Sequence, residues 1–137
     1  MTDERAFSPS GRARVLIVDD SATALRLLQA IFESEHYDVV TAHDGREGLE
    51  KVQQDPPDVV ITDSIMPGVD GFAFLRGLRE NPATSLIPVI MLTSEDPRDL
   101  GPRHDGPQPD AFLRKSADME PLLREVREAL KHRGQAG

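Results

Sequence analysis

Polar side chains end four short apolar runs of this chain, at the points where strands of a sheet should stop. Apolar runs of this length, bounded by polar residues and separated by helical patterns, are typical of buried strands in a parallel sheet. The carboxyl ends of such strands face one crevice. Three carboxylates, a hydroxyl and an ammonium group gathered there indicate a phosphoryl-transfer site. The residues concerned are Asp19, Asp20, Asp63, Thr93 and Lys115.

These residue types suit one another chemically. A carboxylate can act as the nucleophile in phosphoryl transfer. An incoming phosphoryl group adds negative charge to a site that already holds three carboxylates, and like charges this close need compensation. A hard divalent cation supplies it, and Mg²⁺ suits a site with few carboxylates, several waters and a phosphate. We therefore expect one Mg²⁺ ion as cofactor.

The remaining sequence predicts the elements that must position this site. Strands are expected at 15–20, 38–42, 59–62, 88–92 and 110–114, and helices at 21–35, 46–54, 71–79 and 118–132. Ser21 can cap the first helix. Its apolar face is predicted from helical spacing, and consists of Ala24, Leu27, Leu28, Ile31 and Phe32.

The alternation of strands and helices predicts an α/β fold with helices on both faces of a parallel sheet. The natural choice is a flavodoxin-like (βα)5 doubly wound five-stranded sheet with strand order 2-1-3-4-5. The fourth helix is expected to be degenerate or missing, because residues 95–109 contain four prolines and two glycines after the first possible cap. A continuous helix there would be penalised by roughly 8 kcal/mol. We predict at most one helical turn, then an irregular loop to Asp110.

Composition limits the function. The chain has 137 residues, which suits one domain, with a flexible leader at 1–11, the folded domain at 12–133 and a disordered tail at 134–137. Its net charge of −8 disfavours direct nucleic-acid binding. It has no cysteine, which is compatible with a cytoplasmic location. No apolar run is long enough to cross a membrane.

Several motifs together resemble the receiver domain of two-component response regulators, of the stand-alone chemotaxis type, over residues 14–133. They are the acidic pair Asp19-Asp20, Asp63 after the third strand, the loop at 66–71 (MPGVDG), the fourth strand at 87–94 (IPVIMLTS) and Lys115. Each motif alone is weak, and their order and separation make the match specific. Asp70-Gly71 reads as turn chemistry rather than a metal ligand.

The resemblance implies a role for each site residue. Asp63 would be the phosphoacceptor, and Lys115 and Thr93 would be catalytic, contacting phosphoryl oxygens. The metal would be held by Asp19, Asp20, Asp63 and the backbone carbonyl of Ile65. Thr93 and Phe112 would form the switch that changes on phosphorylation. Ile65 and Glu95 would flank the path of the hydrolytic water, and an apolar Ile65 predicts a long-lived acyl phosphate.

The residues taken singly allow plainer interpretations. The acidic pair could favour a helix N-terminus, Asp63 could accept backbone amides, and Lys115 could be a solvated surface charge. Thr93 could be a strand-end hydroxyl and Phe112 a packing residue. Lysine is followed by Ser116 where the family usually has proline, so the peptide bond after Lys115 is either trans or a costly cis. The four histidines lack metal-ligand spacing and are expected at the surface.

Three functions remain open at this stage. The leading hypothesis is a single-domain response regulator that takes a phosphoryl group from a sensor histidine kinase or histidine phosphotransfer protein and signals by binding an unknown downstream protein. It would not be a conventional enzyme, only self-phosphorylating from a phosphodonor and slowly dephosphorylating itself. The alternatives are a phosphate-independent pseudo-receiver, or the receiver part of a longer regulator. A phosphohydrolase is disfavoured, because Asp63-Ser64-Ile65 lacks its second aspartate. A dimer through the usual fourth-helix face is not expected.

Overall fold

The computed structural model describes residues 11–66, 68, 70–94 and 106–136, with the side chains of 132–136 left aside. Its sheet has five parallel strands in the order β2-β1-β3-β4-β5. This confirms the predicted α/β flavodoxin-like fold. The strands are β1 (Arg14–Val18), β2 (Asp38–Ala42), β3 (Val59–Asp63), β4 (Val89–Thr93) and β5 (Ala111–Arg114).

Four helices accompany the sheet in the described ranges: α1 (Ala22–Ser34), α2 (Gly45–Gln54), α3 (Gly71–Glu80) and α4 (Glu120–Ala136). The first three begin at side-chain caps. The Ser21 hydroxyl, the Asp44 carboxylate and the Asp70 carboxylate each accept a backbone N–H of the first helical turn. Helix α4 continues to Ala136, beyond its predicted end at 132, so residues 134–136 are helical.

The core has two halves, one on each face of the sheet. Residues of α2 and α3, including Val52, Phe74 and Leu75, pack with β1, β3 and β4 on one face. On the other, α1 and α4 cover the same strands with the buried side chains Leu25, Leu28, Phe32, Leu122, Leu123 and Val126. Both faces are covered, as a parallel sheet requires.

The prediction of the buried face of α1 is wrong at one residue. Leu27 is 57% exposed, whereas Leu25 is only 4% exposed. The residues that meet the sheet are Leu25, Leu28 and Phe32, which follow the i, i+3, i+7 spacing of one helical stripe. Leu27 lies at the border of that stripe, because successive helical residues are rotated by roughly 100°.

The connection between β4 and β5 is described only in part. Residues 106–110, just ahead of β5, are not helical. The predicted single helical turn, and the Gly101-Pro102 pair expected to end it, fall on residues 95–105, outside the described residues. The peptide bond between Lys115 and Ser116 is trans, since the described residues contain no cis bond. No helix in the described ranges is long and apolar enough to span a membrane.

Candidate phosphoryl-transfer site

Three aspartates meet at the carboxyl edge of the sheet. Asp63 is the last residue of β3, and Asp19 and Asp20 directly follow β1, the strand beside it. One carboxylate oxygen from each of the three lies within 4.8 Å of those from the other two. Asp19 and Asp63 are buried, at 2% and 7% exposure, and Asp20 is exposed. The fold thus brings together the predicted acidic cluster, with one side open to solvent.

Lys115 reaches into this cluster from the end of β5. Its Nζ lies 3.0 Å from Asp63 Oδ2 and 3.4 Å from Asp19 Oδ2. Its backbone N–H donates to the Thr93 carbonyl at 2.7 Å, which extends the β4–β5 pairing to the site. The interpretation of Lys115 as an ordinary surface charge is therefore wrong. One ammonium group serves two buried carboxylates.

Backbone contacts orient the Asp19 carboxylate. Its own N–H donates to the Ala42 carbonyl, and its Oδ1 accepts the N–H of Ser21 at 2.9 Å. Burial raises the pKa of Asp19 above its ordinary value, although the Ser21 hydrogen bond and the charge of Lys115 partly offset this. The neighbouring charge of Asp63 raises the Asp19 pKa further. When the three carboxylates are ionised, the single ammonium group of Lys115 therefore does not neutralise them.

The same contacts also shift the pKa of Lys115. Burial alone would lower the pKa of its ammonium group, but the hydrogen bond to Asp63 and the charge of Asp19 together raise the pKa above its ordinary value. Lys115 is consequently protonated at neutral pH. It is a fixed positive charge beside the Asp63 carboxylate.

Asp63 is held against the start of α3. A Cβ on Gly71 would lie 2.2 Å from the Asp63 carbonyl oxygen, so only glycine permits this approach. Gly71 also donates its N–H to the Ser64 carbonyl. Asp70 caps α3 through Ala73 N–H, in keeping with its predicted role in local backbone bonding. The loop sequence thus places α3 directly behind the candidate phosphoacceptor.

Of the four other predicted site residues, three lie in the described part of the chain. Thr93 is fully buried at the end of β4, beside Lys115 in the sheet. Ile65 is 57% exposed, and its N–H approaches Asp63 Oδ1 at 3.4 Å. Phe112 is partly buried, and its ring packs against Phe72 with centroids 5.9 Å apart. Glu95 lies outside the described residues. The switch and hydrolysis roles stay predictions.

The donor set fits a hard divalent cation. Mg²⁺ prefers oxygen ligands and is commonly held by one or two carboxylates with several waters. The cluster offers carboxylate oxygens from Asp19, Asp20 and Asp63 close enough to share one ion. Asp20 is exposed, which leaves room for water on that side. The predicted Mg²⁺ site is therefore chemically consistent with these residues.

Two serines lie close to the site in positions that the sequence did not predict. Ser21 was expected to be a helix cap only, yet its N–H also orients Asp19. Ser64 is 3% exposed, and its Oγ is the one buried side-chain polar atom of the described part that lacks a hydrogen-bond partner. The Ser21 contact could have been anticipated, because an aspartate two residues before a cap can accept that N–H. Nothing in the sequence predicts the unpaired Ser64 hydroxyl.

The two histidines whose side chains the structure describes take no part in the cluster. His36 and His43 are exposed, and His43 pairs with Glu47 at 3.0 Å at the start of α2. His104 lies outside the described residues. Among the described residues, the site therefore consists of three carboxylates and one lysine.

Comparison with known proteins agrees with this fold and site. The profile of the response regulator receiver domain matches residues 15–127. The chain therefore belongs to the response regulator receiver domain family. The match covers the sheet except for Arg14, its first residue, and includes the three aspartates and Lys115.

Relatives of two kinds show similar sequences. PilH of Pseudomonas aeruginosa is 38% identical over 120 residues, which cover 86% of this chain and 98% of PilH. The response regulator PleD of Caulobacter vibrioides is 42% identical over 117 residues, 84% of this chain and 25% of PleD. The chain thus spans about a quarter of PleD and nearly all of PilH.

Solved structures share the fold. The chemotaxis protein CheY4 of Vibrio cholerae superposes with a TM-score of 0.80 at 32% identity, over 86% of this chain and 98% of CheY4. The response regulator TrrA of Thermotoga maritima, solved in complex with Mg²⁺-BeF, gives a TM-score of 0.75 at 28% identity, over 85% of this chain and 98% of TrrA.

Proposed function

We propose that this protein is a phosphorylation-dependent signalling switch that accepts a phosphoryl group on Asp63. The observation that carries the proposal is the position of Lys115 Nζ, 3.0 Å from Asp63 Oδ2 and 3.4 Å from Asp19 Oδ2. A lysine shared by two buried carboxylates is free to exchange one of them for a phosphoryl oxygen. The nearby Asp20 completes an acidic set that a phosphoryl group alone could not enter.

The transfer step uses few protein groups. An Asp63 carboxylate oxygen attacks phosphorus, the new O–P bond forms, and the N–P bond to the donor histidine breaks, so that the imidazole leaves with its electron pair. Lys115 donates a hydrogen bond to one phosphoryl oxygen, and the Thr93 hydroxyl donates to another. Lys115 thereby leaves Asp63 and stabilises charge that builds on the phosphoryl group.

Mg²⁺, held by Asp19, Asp20, Asp63 and the Ile65 carbonyl, would neutralise the charge of the phosphoryl oxygens when bound. The Mg²⁺-BeF complex of TrrA supports this part of the proposal, because that relative shares the fold over nearly its whole length. The protein is then a switch with self-phosphorylating and slow self-dephosphorylating chemistry, without turnover of a released substrate.

The proposed partners are proteins. The phosphoryl group would come from a sensor histidine kinase or a histidine phosphotransfer protein in the cytoplasm, and Thr93 and Phe112 would couple its arrival to binding of a downstream protein. The length match to PilH and CheY4 supports a stand-alone role. PleD, of which this chain covers a quarter, represents the alternative of a receiver within a longer regulator. We do not propose a dimer through the β4–β5 connection, and the acidic balance gives no support for direct binding of nucleic acid.

The test is phosphoryl labelling of Asp63. Wild type treated with acetyl phosphate and Mg²⁺ is expected to gain one acid-labile phosphoryl group, and Asp63→Asn is expected to gain none. Asp70→Asn is the matched control, because asparagine also caps helices well and the α3 start is preserved. Circular dichroism establishes that both variants are folded. Stoichiometric labelling of Asp63→Asn would refute the acceptor assignment, and a wild type that no phosphodonor labels would favour a phosphate-independent binding module.

A further inference from the structure

The unpaired hydroxyl of Ser64 lies directly beside the phosphoryl site. Ser64 follows Asp63 in the chain and is 3% exposed, and its Oγ has no hydrogen-bond partner among the described residues. Its backbone groups are both paired, because its N–H donates to the Leu92 carbonyl at 2.9 Å and its carbonyl accepts the N–H of Gly71 at 3.1 Å. Native proteins retain few buried polar groups without a partner. The hydroxyl is therefore a group that lacks only an acceptor or a donor.

The register of the sheet places Ser64 next to Thr93. Asp63 is the register partner of Leu92 in the parallel pair of β3 and β4. The hydrogen bond from the Ser64 N–H to the Leu92 carbonyl continues this pairing beyond the end of β3. The next pair along the two strands is therefore Ser64 and Thr93.

The side chains of this pair also lie on the same face of the sheet. Successive side chains of a strand point to opposite faces. In β4, Met91 belongs to the half of the core under α2 and α3, and Leu92 belongs to the other half, so Thr93 follows the side of Met91. In β3, Val60 belongs to the half under α2 and α3, and Ser64 follows it at an even spacing. The two hydroxyls are thus neighbours, although in this structure they are not bonded to each other.

We propose that Ser64 is a positioning residue for Thr93, and that its hydroxyl donates to Thr93 Oγ1 when Asp63 is phosphorylated. The inference rests on the proposed function, in which the Thr93 hydroxyl donates to a phosphoryl oxygen. A hydroxyl has one proton and two acceptor lone pairs. Once Thr93 directs its proton to the phosphoryl group, its oxygen is an acceptor in a fully buried position, and Ser64 is the neighbouring donor.

This hydrogen bond favours the phosphorylated state in two ways. The Ser64 hydroxyl bears the cost of a buried unpaired group, and that cost disappears when it gains an acceptor. A hydroxyl that accepts a hydrogen bond also becomes a stronger donor, because hydrogen bonds in a chain polarise one another. Ser64 thereby strengthens the contact between Thr93 and the phosphoryl group without touching that group.

The first experiment compares Ser64→Ala with a matched control, Thr84→Val. Thr84 is also buried, at 4% exposure, but it lies between α3 and β4, and its Oγ1 already donates to the Leu78 carbonyl at 2.7 Å. Urea denaturation measures the stability of each protein without ligand. Fluorine NMR, in the presence of Mg²⁺, measures the affinity for beryllofluoride, an analogue of the phosphoryl group.

The two variants should respond in opposite ways. Ser64→Ala should be at least as stable as wild type without ligand, because it loses no hydrogen bond, and should bind beryllofluoride about three- to tenfold more weakly. Thr84→Val should be less stable than wild type and should bind beryllofluoride with wild-type affinity. The affinity for Mg²⁺ alone should be the same in all three proteins.

A second experiment tests whether Ser64 acts through Thr93. Thr93→Val has no hydroxyl, so adding Ser64→Ala to it should leave its remaining affinity for beryllofluoride unchanged. Thr93→Ser keeps a hydroxyl, so adding Ser64→Ala to it should weaken binding by about the same factor as in wild type. A residue that only supports the fold would not depend on the Thr93 hydroxyl in this way.

Three results would overturn the inference and leave the proposed function intact. They are wild-type affinity for beryllofluoride in Ser64→Ala, a loss of stability in Ser64→Ala like that of Thr84→Val, and an equal weakening by Ser64→Ala with and without the Thr93 hydroxyl. Absence of both beryllofluoride binding and phosphoryl labelling in wild type would instead refute the proposed function, together with the inference that rests on it.

Discussion

Strand β3 has a buried aspartate at each end, and the two are used in opposite ways. Asp58 directly precedes the strand and is 3% exposed, and Asp63 ends it and is 7% exposed. At the amino edge, Asp58 Oδ2 accepts the N–H of Arg14 at 2.7 Å, and its own N–H donates to the Arg14 carbonyl at 2.8 Å. Asp58 thereby satisfies the first amide of the neighbouring strand β1.

The amino edge repeats this arrangement at β5. Asp110 precedes β5, its Oδ2 accepts the N–H of Val89 at 2.7 Å, and its N–H donates to the Val89 carbonyl at 2.8 Å. Arg79 adds an ion pair to the same oxygen at 2.9 Å. Strand starts present unpaired N–H groups, for which a carboxylate is a suitable acceptor. The amino-edge aspartates thus stabilise the fold.

At the carboxyl edge, the aspartates have fewer hydrogen-bond donors from neighbouring strands. Strand ends present carbonyl oxygens, which cannot donate to a carboxylate. Asp19 and Asp63 share one ammonium group, that of Lys115, and Asp20 lies close to both carboxylates. The same residue type therefore stabilises the fold where strand-start amides face it, and forms a candidate cation site where only loop amides and one lysine do.

The largest effect that we expect from this comparison is at Asp58. Asp58→Ala leaves the partly buried Arg14 N–H without its acceptor, which should lower the free energy of unfolding by about 1–3 kcal/mol. Urea denaturation measures this. The control is Asp55→Ala. The Asp55 side chain is 71% exposed and its ion pair with Arg14 Nη1 is long, at 3.9 Å. Its removal should therefore change the free energy of unfolding by close to zero. Equal losses in the two variants would contradict the role assigned to Asp58.

A second prediction concerns Ile65, which is exposed beside the carboxyl-edge cluster. An apolar side chain cannot orient a water behind the phosphoryl group. Ile65→Asn adds a hydrogen bond to that water, worth about 1 kcal/mol, and should shorten the lifetime of phosphorylated Asp63 by about fivefold. Ile65→Val is the control and should decay like wild type. Loss of phosphoryl label over time gives both rates, and equal lifetimes for all three proteins would contradict this role.

A third and smaller effect is expected at Glu47, whose carboxylate accepts the backbone N–H of His43 at 2.6 Å. This hydrogen bond lowers the pKa of Glu47, despite some burial. Its stabilisation is therefore complete above the ordinary glutamate value of 4.5 and is lost as the pH falls below it. The side chain is a third exposed, so Glu47→Gln should cost only about 0.5 kcal/mol at neutral pH.

Urea denaturation of Glu47→Gln and wild type from about pH 7 to about pH 3 tests the sign. The difference between the two proteins should shrink as the pH falls below the ordinary glutamate value of 4.5. A difference that grows below that value would show that Glu47 is not stabilised in its ionised form.

The sequence predicted the carboxyl edge better than the amino edge, for a physical reason. Parallel strands must end on one side, so that Asp19, Asp63 and Lys115 could be brought together from strand positions alone. The partners of Asp58 and Asp110 depend on register between neighbouring strands, which hydrophobic patterning does not determine to the residue. An aspartate before a strand also occurs in many ordinary turns.

Helix α1 shows a similar limit within one element. Its limits and its cap were predicted correctly, because Ser21 is a strong N-cap. Its buried face was assigned to Leu27 in place of Leu25, because apolar residues occupy both positions and periodicity alone does not choose between them.

The central claim is that the carboxyl edge holds uncompensated negative charge that a cation relieves. The most direct measurement is the melting temperature of wild type and Asp20→Ala as Mg²⁺ is added. Mg²⁺ should raise the melting temperature of wild type and have little effect on that of Asp20→Ala. Without Mg²⁺, Asp20→Ala should be at least as stable as wild type, because it lacks one like charge. Mg²⁺ sites with few protein ligands bind weakly, so the titration should extend to roughly tens of millimolar. A wild-type melting temperature that stays unchanged over that range would contradict the presence of uncompensated charge at the carboxyl edge.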